Sequence, residues 1–385
     1  AGFYQSCFAL CLAAIVVFAN LHLLQPLLPQ LSRDFQISPL QANLSYIITT
    51  LGLGISLLVY ASLSDAWGRK SLLLITLSGM TISTLALTQV DSFNGLVFWR
   101  AVQGLCLGGL PAIAIAWMGE EYTTPALVSA VGYYISASSL GGIGGRLLAG
   151  GLADWGHWQW VFWPMALLSA VSCYGIWRFL PQSSGFTRQP FRLLQALKNH
   201  GFHLRQPLLL LTYLIGGLNF LVFLNQYTFV SFMLAAPPYL LSSSMLGLLF
   251  ITYFSGTVGS AFSARIAKRI SAPLAMALGT VLLMLGTLVT LHSAVWLIVG
   301  GFFISAFGFF LCHSLASSWV NQHARRAKAS ASALYLVFYY VGASIGGFYL
   351  QPFWQWLGWS GVVLASWLMY GITLLLTVLL WLRSR

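Results

Sequence analysis

The sequence predicts an all-α membrane protein of twelve transmembrane helices, arranged as two pseudo-symmetric six-helix bundles. Three observations carry this prediction. Apolar runs of membrane-spanning length recur along the chain, the basic residues collect on one side of those runs, and the second half repeats the loop pattern of the first.

Composition sets the class. Of 385 residues, 58% are hydrophobic and only 6% charged, with 18 Lys and Arg against 6 Asp and Glu. So few charges cannot cover a soluble surface of this length, which excludes a chain of two or three soluble domains. At ~1.5 Å per residue, a helix of about 20 residues crosses a ~30 Å hydrocarbon core. The N-terminal run is too long for a signal-peptide core and lacks a small-residue cleavage site, so it reads as the first span. The five cysteines all fall inside apolar runs and show no C-x-x-C spacing. They read as small buried hydrophobes, with neither a disulfide framework nor a metal site.

Apolar length and Pro/Gly punctuation place the spans at 5–29, 42–63, 71–90, 94–118, 126–153 and 159–180, forming an N-terminal bundle over 1–180. A polar, Arg-rich linker over 181–206 follows. The C-terminal bundle, 207–385, takes spans at 207–234, 244–264, 273–291, 294–319, 329–350 and 359–381. An even number of spans puts both termini on one side. That side also carries Arg69 and Lys70; Arg178, Arg188, Arg192, Lys198 and Arg205; Arg265, Lys268 and Arg269; Arg325, Arg326 and Lys328; and Arg383 and Arg385. Only Arg33 falls in an opposite loop, while Arg100 and Arg146 lie within spans. The net charge of +12 therefore reports orientation, with N- and C-termini in the cytoplasm, and needs no nucleic-acid partner.

The repeat begins in the first charged loop. Ser62–Lys70, SLSDAWGRK, aligns with Ala261–Arg269 at an offset of 199; the basic pair survives, while Asp65 and Gly68 become alanines. Gly144-Gly145 and Asp154-Trp155-Gly156 match Gly346-Gly347 and Trp356-Leu357-Gly358 at an offset of 202. Two parallel six-span repeats place a substrate site near the midplane between them.

These residues resemble the major facilitator superfamily over essentially the whole chain. The first loop is similar to that superfamily's G-x-L-x-D-x-x-G-R-K signature, with Ala61 or Ser62 in place of the leading glycine. Arg100-Ala101-Val102-Gln103-Gly104 is similar to its R-x-x-Q-G motif. QPLLPQL at 25–31, SLGGIGGRLLAG at 139–150, GFFLCHSLASSWV at 308–320 and ARRAKASASALYL at 324–336 resemble the YnfM-type transporters, a family associated with acriflavine sensitivity and efflux. The resemblance implies the major facilitator fold and a secondary transporter of the bacterial inner membrane. It also implies that Asp65, Gly68, Arg69 and Lys70 form a conformational latch. On its own chemistry, Asp65 can accept from the first N–H groups of a neighbouring helix; the plainer reading is a turn carrying positive-inside charge.

Within the spans, unpaired guanidinium groups cost at least ~2.5 kcal/mol at membrane depth. Arg100, with Gln103, is therefore expected to face the cavity or to make inter-helix hydrogen bonds. Arg146 is balanced between packing and snorkelling. The six carboxylates, Asp34, Asp65, Asp91, Glu120, Glu121 and Asp154, all sit at span ends or in loops. Exchange of a proton for a cationic drug needs an intramembrane carboxylate, so the pattern favours neutral, zwitterionic or anionic cargo. A buried arginine attracts an anionic group directly.

Asn20, His22 and Gln25 on the first span, Asn219, Asn225, Gln226 and Tyr227 on the seventh, and His313 on the tenth complete the candidate cavity. Isolated polar residues also serve as helix glue, and a hydrogen-bonded structural role suits His313 equally well. Gly104 with Gly108, Gly141 with Gly145, and Gly342 with Gly346 present small faces for close helix approach or sliding. No strand precedes Gly142-Ile143-Gly144, which argues against a dinucleotide loop. The expected protein is a monomeric exporter of small amphipathic or drug-like molecules, working by alternating access, with proton antiport implied by the family. Its partners are a small-molecule substrate, protons and the bilayer, with no cofactor. One alternative is a facilitator or symporter importing a small organic anion through Arg100. The other, a membrane-embedded transferase, is disfavoured because the longest loop holds only His200 and His203 and no acid.

Overall fold

The apolar runs fold as helices because a backbone in hydrocarbon must satisfy its own N–H and C=O groups. A computed structural model describes residues 2–183, 188, 190–191, 193–325 and 327–384. Arg192, Arg326 and Arg385, counted above among the loop bases, lie outside the described residues. In chain order the helices are α1 (Phe3–His22), α2 (Leu28–Asp34), α3 (Pro39–Trp67), α4 (Arg69–Leu87), α5 (Phe93–Leu107), α6 (Gly109–Glu121), α7 (Thr124–Ala153) and α8 (Phe162–Phe179). Then come α9 (Leu193–Leu204), α10 (Pro207–Ala235), α11 (Ser243–Leu248), α12 (Tyr253–Ile270), α13 (Ala272–Val289), α14 (Val295–His323) and α15 (Lys328–Arg383).

Among the described residues, 11 helical stretches are long and apolar enough to cross a membrane. The last of them, α15, contains Gly358 at φ 59, ψ −137, a conformation open essentially only to glycine, and so holds two spans. Twelve crossings result. One element was not foreseen: the linker contains the helix α9, whose polar composition hid it from a hydropathy reading.

Two compact units emerge. One comprises Ala1–Leu194 together with Leu240–Leu248; the other comprises Gln195–Tyr239 and Leu249–Arg385. In the first, α1 runs along α7, where a Cβ on Gly145 would lie 2.6 Å from the Ala19 Cα, and a Cβ on Gly141 would meet the Ile15 backbone. Gly104 sits equally close to Thr49 on α3, and Gly108 to Ser56. The short helix α11 belongs to this unit, held at its start by Asp154, whose carboxylate accepts from the Ser243 and Ser244 N–H groups at 2.9 and 3.0 Å. Burial pushes the Asp154 carboxyl up, but hydrogen bonds from Ser244, Ser242 and the two backbone N–H groups outweigh it and leave the net value lowered. In the second unit α10 runs along α15, with Gly342 and Gly346 against the Gly217 and Leu221 backbone.

The turn geometry corrects the register of the repeat. The α3–α4 junction is Gly68 at φ 96, ψ 141, and the α12–α13 junction is Ser271 at φ 83, ψ 155. The same sharp turn thus recurs at an offset of 203, close to the 202 of the glycine pairs and not the 199 read from the basic pairs. The basic pair is an unreliable ruler, because positive-inside charge accumulates on either side of such a turn. In this register Lys268 stands where Asp65 stood, and Ala272 where Arg69 stood.

Candidate functional site

The first helix breaks where the sequence places Pro26. α1 ends at His22, a 3-10 turn over Gln25–Leu27 follows, and α2 resumes at Leu28. A helix end leaves its last carbonyls without N–H partners, and here they lie inside the protein. Arg100 of α5 supplies the missing donors. Its Nη1 donates to the Asn20 carbonyl at 2.8 Å and its Nη2 to the Leu21 carbonyl at 3.0 Å. Its Nε reaches the Ser45 carbonyl at 3.4 Å, and Nη1 also donates to Gln103 Oε1.

Gln103 extends the network. Its Nε2 donates to Asn20 Oδ1 at 3.1 Å and to Thr84 Oγ1 at 2.7 Å, while Asn20 Nδ2 donates to Ser169 Oγ at 3.1 Å. Arg100, Gln103 and Asn20 are each 0% exposed. They tie α1, α3, α4, α5 and α8 together around a guanidinium whose charge meets the negative end of a helix instead of an acid.

A second cluster sits on the other side of the same break. Arg146 of α7, also 0% exposed, donates from Nε and Nη2 to Gln25 Oε1 at 3.1 and 2.7 Å and from Nη1 to the Gly142 carbonyl at 3.1 Å. Its Nη2 lies 3.2 Å from His22 Nδ1, which is 2.7 Å from the Tyr46 hydroxyl. An arginine can only donate, so Nδ1 carries the lone pair and the imidazole proton resides on Nε2. His22 is only part-buried, with the Nε2 edge of its ring facing Gly142. Asn20, His22, Gln25, Arg100, Gln103 and Arg146 thus converge on one helix break.

The residues expected on the seventh span do not converge. Asn219 donates to Cys312 Sγ at 3.4 Å, Asn225 to the Ala343 carbonyl at 2.8 Å and Gln226 to Thr287 Oγ1 at 3.0 Å, while the Tyr227 hydroxyl meets Thr252 Oγ1 at 2.6 Å. At 100° per residue Asn219 and Gln226 share a face two turns apart, while Asn225 and Tyr227 point about 100° to either side of Gln226, and the hydrogen-bond partners are spread over several neighbouring elements. His313 instead belongs to an aromatic group that sequence reading missed. Its Nδ1 is 2.8 Å from the Tyr335 hydroxyl, and its ring lies near parallel to Phe309 at 5.9 Å. Phe223 stacks on Phe309 at 4.1 Å and Phe220 on Tyr339 at 3.5 Å. Aromatic residues are frequent throughout this chain, so no single one stood out.

In the first charged loop, Asp65 pairs with Arg69 at 2.6 Å across the Gly68 turn, rather than with a neighbouring helix N-terminus. The turn at Gly68 brings the last turn of α3, with Asp65, against Arg69 at the start of α4. Arg69 also bridges to Glu120 at the end of α6, at 3.1 Å from Nε and 3.0 Å from Nη2, and donates to Ser64 Oγ. Glu120 accepts from Ser183 at 2.7 Å, and Lys70 donates to the Trp177 carbonyl near the end of α8 at 2.8 Å. Glu120 was not foreseen; its partner stands 51 residues away in sequence.

The family model described as Major Facilitator Superfamily matches residues 10–347. The uncharacterized MFS-type transporter YybF of Bacillus subtilis is 34% identical over 382 residues, covering 99% of this chain and 93% of its own. The inner membrane transport protein YnfM of Escherichia coli is 35% identical over 373 residues, 97% of this chain and 89% of its own. A more distant relative, the chloramphenicol resistance protein CraA of Acinetobacter baumannii, is 25% identical over 291 residues, 75% of this chain and 70% of its own. Among solved structures, an inward-facing bacterial homolog of the human lysosomal transporter Spinster superposes with a TM-score of 0.73 at 14% identity, covering 98% of this chain and 95% of the other. The motif resemblance, the helical fold and the family match agree: this chain belongs to the major facilitator superfamily of membrane transporters.

Proposed function

We propose that this protein is a secondary transporter that exports small amphipathic aromatic molecules, neutral or anionic, by alternating access from the cytoplasmic side of the bacterial inner membrane. One observation carries the choice of cargo. Two guanidinium groups lie fully buried in membrane spans, while all six carboxylates stand at span ends or in loops. Such an interior repels cations and attracts anionic or electron-rich groups. The largely buried aromatic cluster of Phe220, Phe223, Phe309, His313 and Tyr339 supports aromatic recognition, as rings that a change of state can expose. The likeness to a chloramphenicol resistance protein supports export of a neutral aromatic compound. The basic loops support cytoplasmic termini.

Proton coupling is assigned to His22. A proton arriving at Nδ1 takes the lone pair that Arg146 and Tyr46 share, so protonation and the His22–Arg146 hydrogen bond exclude one another. Arg100 and Arg146 are the charged groups nearest the ring. Counterflow in proteoliposomes with chloramphenicol, salicylate and tetraphenylphosphonium, with and without a pH gradient, tests both parts. The reading requires the first two to be carried in preference to the cation. It also requires His22→Gln to abolish the pH-gradient response while sparing counterflow. Preferred transport of tetraphenylphosphonium would sink the cargo assignment, and a gradient response that survives in His22→Gln would sink the coupling assignment. Import of an organic anion remains the competing direction; net uptake of salicylate driven by an inward proton gradient is its distinguishing result.

A further inference from the structure

Helix α9 carries three leucines on the outside. Leu194 is 67% exposed, Leu197 47% and Leu204 37%, with Phe191 just ahead of the helix at 44%. Beside the leucines, His200 and His203 are 7% and 0% exposed. A soluble helix would reverse this arrangement. At 100° per residue the three leucines span an arc of about 80°. Lys198 and Arg205, both exposed, follow on the side of that arc away from the histidines. Around the axis the order is therefore buried imidazoles, exposed leucines, exposed bases. Burial, and then the neighbouring His203, push the His200 imidazole below its ordinary value.

Position and charge identify what covers the leucines. Only Arg205 and Gln206 separate α9 from α10, the apolar span Pro207–Ala235. Three Cα–Cα steps of ~3.8 Å reach no more than about 11 Å, which holds the end of α9 at the membrane boundary. The whole segment 181–206 contains no acid, and Arg188 ahead of the helix is exposed as well. An apolar stripe edged by bases, fixed at the boundary of a bilayer, matches the form of an interfacial helix on anionic lipid.

We propose that α9 is a membrane-surface anchor: Leu194, Leu197 and Leu204 insert among the acyl chains of an anionic bilayer, and Lys198 and Arg205 sit on its headgroups. This assignment does not depend on the cargo. It makes the linker sensitive to lipid charge, because docking strength follows the surface potential.

The test uses full-length protein with its native cysteines replaced by alanine and a nitroxide at Leu197→Cys. Power saturation with oxygen and with a water-soluble nickel chelate measures depth in two kinds of vesicle, phosphatidylcholine alone and equimolar phosphatidylcholine and phosphatidylglycerol. In the mixed vesicles the label is expected to favour oxygen over the chelate. Lys198→Gln and Arg205→Gln are each expected to lower the docked-to-undocked ratio about fivefold. Equal chelate access in both vesicles overturns the proposal. So does immersion that ignores vesicle charge or the two substitutions. Shielding that appears in detergent and grows with protein concentration points to a second copy as the occupant, and overturns it too.

Discussion

At Arg100 a full positive charge is held in the membrane interior by backbone carbonyls and an amide, without a carboxylate. The arrangement works because α1 stops at His22, leaving the Asn20 and Leu21 carbonyls to accept from the guanidinium. The sequence announced the charge, an arginine inside an apolar run, but not the break: the first span reads as one run over 5–29, with Pro26 and Pro29 inside it. It did not announce that one served the other, because backbone acceptors leave no mark in residue identity. Arg100→Gln is expected to lower stability by about 1–3 kcal/mol through the two orphaned carbonyls, with membrane hydrogen bonds placing the loss toward the lower end. Arg100→Lys should recover less than half, since one ammonium lacks the fork that spans neighbouring carbonyls. Thermal unfolding of purified protein without cargo checks this, and an unchanged midpoint in Arg100→Gln would remove the capping account.

At the scale of elements, hydropathy located the spans because apolar length is what a bilayer selects. It could not locate α9, which meets the membrane along one face, nor the register of the repeat, which is written in backbone conformation. The two junctions make this concrete. Gly68 occupies φ 96, ψ 141 without steric cost, whereas Ser271 carries a Cβ through the equivalent turn at φ 83, ψ 155. A residue other than glycine in this region is strained by about 1–3 kcal/mol, and glycine returns about 0.5–1 kcal/mol of that to unfolded-chain entropy. Ser271→Gly should therefore stabilise the protein by about 1 kcal/mol and raise its unfolding temperature, whereas Gly68→Ser should lower it. Differential scanning measurements on the pair decide the matter; if Ser271→Gly destabilises, the turn in the second unit is not under strain.

At the scale of the whole molecule, a transporter must keep two states close in energy, so a difference of ~1.4 kcal/mol already means a tenfold change in their ratio. The loop that joins α3 to α4 offers contacts of that size. Arg69 links Asp65, whose side chain is 43% exposed, and Glu120, at 23%. Pairs this open to solvent contribute ~0–1 kcal/mol each, too little to hold the fold together and enough to bias a switch. Asp65→Asn is then expected to shift the state ratio by no more than about fivefold. Glu120→Gln should shift it further, because Glu120 Oε1 takes both Nε and Nη2 of Arg69 and the residue is less exposed. The two effects should not add, since both act through one guanidinium. Distances between spin labels, measured by double electron–electron resonance in the single and double variants, report the ratio directly. Cargo affinity within a fixed conformation should be untouched, because Arg69 meets its partners in the loop and not at the break in α1. Label distances unmoved in both single variants would show that this loop shapes only the hairpin and exerts no hold on the conformational equilibrium.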